Sequence, residues 1–135
     1  MNKLIYLLLL LSGTLMAQSP IADNISWKSD ILFDSTDRAT MPFASEFRVY
    51  PLKKKIDWLQ NNGSYVTAFT INEVQGRWFD LKADGKVIFS VSYLGRNGQL
   101  VIERTGGSAR VGLRIMEGDR NLLPLSFSIN SVSSL

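Results

Sequence analysis

The feature that most constrains this chain is an alternation of apolar and polar side chains between short turns. In Lys86 to Leu94, Val87, Phe89, Val91 and Tyr93 fall on one face, and Ser90 and Ser92 on the other. A period of two is the mark of a half-buried strand. In Arg110 to Met116, Val111, Leu113 and Ile115 oppose Gly112 and Arg114, and at the end of the chain Leu125, Phe127 and Ile129 alternate with Ser126, Ser128 and Asn130. Leu100 to Arg104 is a shorter strand of the same kind. Hairpin turns are expected at Asp84-Gly85, Asn97-Gly98 and Gly106-Gly107, because these pairs tolerate the positive φ that tight hairpins need. Glu117 to Asn121 is a further turn, and Pro124, lacking a backbone donor, predicts an edge or a bulge at the start of the last strand. Phe89, Val91, Leu113, Ile115 and Phe127 occupy matching faces and should share one core.

Upstream the same reading gives strands at Trp27 to Phe33, Ser45 to Tyr50, Lys54 to Leu59, Tyr65 to Asn72 and Val74 to Lys82. Asn61 to Ser64 is a turn, and Asp34 to Pro42 reads as a loop. No stretch carries helical spacing. Links this short force neighbouring strands to pair antiparallel. The predicted fold is all-β: an antiparallel meander of about eight strands forming an up-and-down barrel or a curled two-layer sandwich, with an Ig-like β-sandwich as the alternative.

Residues 1–17 read as a cleaved leader. Lys3 gives a positive head, Leu4 to Leu11 an apolar run, and Ala17 a small residue before Gln18. That order builds a secretory signal peptide, and the run is short of the roughly 20 apolar residues that span a bilayer. The expected organisation is a signal peptide at 1–17, an N-terminal strand and loop segment at 18–42, and an antiparallel β-domain at 43–135. The expected location is secreted or periplasmic, with no stable membrane insertion after cleavage. A lipid anchor would need a cysteine after the leader, and the chain has none.

Two absences narrow the chemistry. With 0 cysteines and 0 histidines, the chain has no disulfides, no ordinary zinc ligands, no Ser-His-Asp triad and no Cys-His pair. Acid–base work would fall to Asp, Glu, Lys or Tyr. The hydrophobic fraction of 45% is enough for a packed core held without cross-links. The formal charge of +3 falls to +2 when Lys3 leaves with the leader. A charge that small fits an anionic surface at most, and it argues against a nucleic-acid partner.

Four sequence features are candidates for a site. Lys53, Lys54 and Lys55, with Arg48 nearby, form a basic cluster that would suit an anionic partner, and Trp58 beside them is an aromatic anchor of the kind binding surfaces use. As an alternative, lysines there protect a strand edge. Trp27, Trp58 and Trp78 with Tyr50, Tyr65 and Tyr93 are a candidate stacking platform for sugars, although each also fits a core position. Asp34 and Asp37 sit in a polar run without the spacing of a calcium loop. Gly76-Arg77-Trp78 resembles the G-x-W opening of the lipocalins over three residues. That resemblance implies a secreted ligand-binding barrel, but the family places the motif before eight strands and the aspartate- and arginine-bearing motifs that should follow it are not clear. The simpler reading is a tryptophan that plugs one end of the core.

The expected function is a non-catalytic binding domain for a protein or glycan partner, with Lys53, Lys54, Lys55 and Trp58 as candidate contact residues and no cofactor or metal. One alternative is a carrier of small apolar ligands with a calycin-like barrel. Another is a hydrolase working through carboxylates alone, which would need two of them facing each other across a cleft.

Overall fold

The computed structural model describes residues 19–121 and 124–135. The leader assigned to 1–17 lies outside the described residues. The strands are β1 (Ile25–Asp34), β2 (Ala39–Tyr50), β3 (Lys55–Gln60), β4 (Tyr65–Gly76), β5 (Gly85–Tyr93), β6 (Arg96–Thr105), β7 (Ser108–Glu117), β8 (Arg120–Asn121), β9 (Leu125–Ile129) and β10 (Ser131–Ser134). Among the described residues there is no α-helix.

Strands β1 to β7 pair in chain order, each antiparallel to the next. The ring closes through β9. Phe127 lies opposite Val111 of β7 on one side and Leu32 of β1 on the other. Eight ring positions result, so the meander is a closed barrel and not a sandwich. After Asn130 the chain continues as β10 along the start of β1, with Val132 opposite Trp27. β8 is a two-residue ribbon on the end of β7. Pro124 precedes β9, which is paired on both sides and is therefore no edge.

Several expected turns moved. Gly106-Gly107 does turn the β6–β7 hairpin, with both φ positive. Asn97-Gly98 does not: the turn is Leu94-Gly95, and Gly98 lies inside β6 opposite Ile115. A β-carbon on Gly98 would come within 2.3 Å of the Arg114 carbonyl oxygen, so that glycine serves close packing. Asp84-Gly85 is not a two-residue hairpin either. β4 ends at Gly76 and the segment from Arg77 to Asp84 is a loop, so the strand expected to run to Lys82 stops at Gly76. The predicted loop from Asp34 to Pro42 shrinks to a turn at residues 35–38, because Met41 and Pro42 join β2 opposite Leu32 and Ile31. Register shifts between Ser29 and Ile31 and between Ile71 and Glu73 mark bulges, which bend strands around a barrel.

An eight-stranded barrel is just wide enough for side chains to fill it. Here Phe47 stacks on Trp58 at 5.7 Å, and the edge of Phe127 meets both rings at 4.9 and 5.6 Å. Phe89, Val91, Leu113, Ile115 and Phe127 are all buried in the same core, as their alternation predicts. At the end where the chain enters β1, Trp78 closes the barrel 5.7 Å from Trp27. Its indole N–H donates to the carbonyls of Asp80 and Ala83 at 2.8 and 3.1 Å, so the loop wraps its own plug. Ser19 Oγ donates to the Trp78 carbonyl, and Arg104 Nε donates to that of Leu81. These bonds tie the N-terminal segment and β6 to the loop.

Candidate binding surface

The aromatic residues sort by position. Trp27, Trp58 and Trp78 all face the interior, with Trp58 only 7% exposed and its indole N–H donating to Ser45 Oγ at 3.1 Å. Trp58 is thus part of the barrel filling and is not on the lysine-bearing surface. Tyr93 packs against Phe69 at 5.6 Å. Tyr65 alone among the six stands out at the rim, 67% exposed.

The lysines are at the surface, at the turn between β2 and β3. Lys53 Nζ sits 5.6 Å above the Tyr50 ring, and Lys55 pairs with Asp57 at 3.1 Å. Arg48, half-buried on β2, pairs with Glu46 at 3.1 Å. Glu46 Oε1 also accepts from Ser26 Oγ at 2.7 Å. Burial pushes the Glu46 carboxyl up, but the Arg48 and Ser26 hydrogen bonds, with the charges of Arg48 and Lys28, outweigh it and hold its pKa below the usual value. The bond to Glu46 raises that of Arg48. Lys53, Lys55 and Arg48 are engaged locally, which leaves less of their charge for a partner.

Several aspartates hold backbone groups of turns and loops. Asp34 Oδ1 accepts from Thr36 N at 2.9 Å, Asp80 Oδ1 from Lys82 N at 3.0 Å, and Asp84 Oδ2 from Gly106 N at 3.3 Å. Asp37 is exposed in the β1–β2 turn. Among the described residues no group of three or more Asp and Glu side chains is placed to hold a metal ion.

A trough of about 460 Å³ lies on the outside of β5, β6, β7 and β9. Its floor is one row of outward positions in register: Ile88, Val101, Gly112, Ser126 and Phe33. Gly112 makes the depression, since a β-carbon there would meet nothing within 4 Å among the described residues. It crosses the strands from β5 to β1, about 19 Å measured along the curved barrel wall. One wall is the row Lys86, Glu103 and Arg110, in which Arg110 pairs with Glu103. The other carries Gln99 and Arg114, directly opposed across β6 and β7. Pro124 closes one end, where its carbonyl accepts from Ser35 N at 3.1 Å and Ser35 Oγ at 2.9 Å. The lining therefore holds three cations against one carboxylate, over an aliphatic floor.

A second cleft lies at the rim, lined by Asp30, Pro42, Phe43, Gln60, Asn61 and Tyr65. Each of these two clefts presents a single carboxylate, Glu103 in the trough and Asp30 at the rim.

The sequence shows Gly112 and Arg114 on the outward face of a strand but not their significance. A trough built across five strands has no linear signature. The available signal was a glycine at an outward position of an otherwise regular strand.

No family model matches the chain, and no curated protein or solved structure matches it.

Proposed function

We propose that this chain is a non-catalytic binding domain, working outside the cytoplasm, that recognises a partner with its outer surface. The observation that carries this reading is the filled interior. Phe47, Trp58, Phe89 and Phe127 meet where a carrier of small apolar ligands keeps an open chamber. With the inside occupied, recognition falls to the outer face, where the trough over Gly112 reaches across five strands and carries charged groups on both walls. Within the trough Glu103 is the single carboxylate and is engaged by Arg110, whereas carboxylate-only hydrolysis requires two facing each other across a cleft.

The test has two arms on the mature protein. Palmitate added to it should leave tryptophan fluorescence unchanged, whereas stoichiometric quenching would restore the carrier reading. Immobilised protein should retain a specific partner from its host's extracytoplasmic extract, and a folded variant altered on the outer surface should lose that partner. A partner retained by folded variants of the trough, the rim and the lysine turn alike would refute the surface reading.

A further inference from the structure

We infer that the trough over Gly112 takes a short acidic peptide segment carrying one apolar anchor residue. This rests on the surface-binding reading above and names the occupant.

Charge is the first argument. Lys86, Arg110 and Arg114 stand around the trough with Glu103 as the one carboxylate, and Arg110 is already paired with it. Lys86 and Arg114 are in no ion pair among the described residues. An occupant that approaches both walls must therefore bring negative charge. The arginine guanidinium is a planar fork that matches a carboxylate with two parallel hydrogen bonds.

The floor decides what carries that charge. Ile88 and Val101 are aliphatic and half-buried, and Phe33 is 38% exposed at the far end. The missing side chain at Gly112 leaves a dent in the middle of this floor. A leucine-sized group entering that dent would lie beside Val101, with Ile88 and Phe33 farther along the same row. A saccharide chain is better served by a broad tyrosine or tryptophan face, and the trough contains neither residue.

A peptide adding itself as a further strand is a different mode, and the closed ring removes the free edges it would need along β5, β6, β7 and β9. The occupant must bind by side chains, an apolar one downward and acidic ones to the walls. The lysine turn cannot assist, because it follows Val49 and Tyr50 beside the Ile25 end of β1, whereas the trough meets β1 at Phe33, near its other end.

The experiment is an array of hexapeptides, each with one apolar residue flanked by Asp or Glu, beside matched sets flanked by Lys or Ser and a set with the apolar residue replaced by Gly. The probe is labelled mature protein, as wild type and as Arg114→Glu, Gly112→Leu and Lys54→Glu. Melting temperature confirms that each is folded. The acidic–apolar set should be enriched, with binding that weakens as salt rises. Arg114→Glu should weaken it at least about tenfold, Gly112→Leu should remove it by filling the dent, and Lys54→Glu should leave it unchanged. No enrichment of that set overturns the proposal, as does enrichment that persists in both trough variants. Polygalacturonate that binds more tightly than every peptide would assign the trough to an acidic glycan and overturn it too. A host partner lost on Tyr65→Ala but kept by both trough variants would leave the surface reading standing and remove this one.

Discussion

A β-carbon on Gly85 would fall 2.3 Å from Cγ and Cδ1 of the Trp78 ring. The first residue of β5 is therefore shaped to the indole that closes the barrel. The ring cannot retreat easily, since its N–H is held by two loop carbonyls and its other side faces Trp27.

Gly85→Ala should destabilise the fold by about 1–3 kcal/mol, the usual range for overpacking a well-filled site. Gly112→Ala is the control: it adds the same methyl group in open space on the outer face and should change stability by less than about 0.5 kcal/mol. Urea unfolding measures both. Equal effects would mean that Trp78 does not pack on Gly85.

Phe89→Ala and Phe127→Ala should each lose about 3–5 kcal/mol. Both rings are fully buried, and Phe127 touches Phe47 and Trp58 as well as closing the ring between β7 and β1. Much of a small domain's net stability is of this size. Unchanged melting temperatures in both variants would contradict the packing described.

Local alternation made the interior legible. The faces of β5, β7 and β9 follow directly from Val87-Phe89-Val91, Val111-Leu113-Ile115 and Leu125-Phe127-Ile129, because side-chain direction alternates residue by residue. Glycines were harder. A sequence shows where a glycine stands but not whether it is there for its φ or for its lack of a side chain. Gly106 and Gly107 use the first property, and Gly85 and Gly98 the second. Reading all of them as turn formers displaced two hairpins. The polar run from Asp34 concealed the start of β2 for a similar reason: Thr40, Met41 and Pro42 are held in a strand by partners in β1. Barrel closure depends on Phe127 finding Leu32, a pairing across nearly the whole domain that no local pattern announces. The lysine cluster stood out because it is contiguous in sequence, whereas the trough is contiguous only after folding.

Glu46 gives a pH signature. Its folded pKa lies below the usual carboxylate value, because the bonds from Arg48 and Ser26 and the nearby charges outweigh its burial. A lowered folded pKa means that the unfolded chain binds the proton more readily. The stabilisation is therefore fully present above the unfolded value, about pH 4.3, and disappears as pH falls through the lower folded value. Urea midpoints taken from about pH 6 to pH 3 should fall more steeply for wild type than for Glu46→Gln. Parallel curves would show that the Arg48 and Ser26 contacts carry no linkage.

Glu103 separates binding from hydrolysis in a single substitution. Its carboxylate is the one negative group in the trough and is spent on Arg110. Glu103→Gln removes that charge and releases the Arg110 guanidinium toward the trough. An acidic partner should then bind more tightly, by about 1.4- to fivefold, in line with the roughly 0.2–1 kcal/mol typical of an exposed ion pair. The gain should shrink at high salt, because charges at the rim of an exposed trough are screened. A hydrolase using Glu103 would instead lose several orders of magnitude of turnover on the same change. Fluorescence anisotropy with an acidic peptide selected from the array, together with a turnover assay on any substrate found, reads both outcomes. Weaker binding by Glu103→Gln, with the melting temperature intact, would show that the partner uses this carboxylate as an acceptor and that the trough is not an anion site.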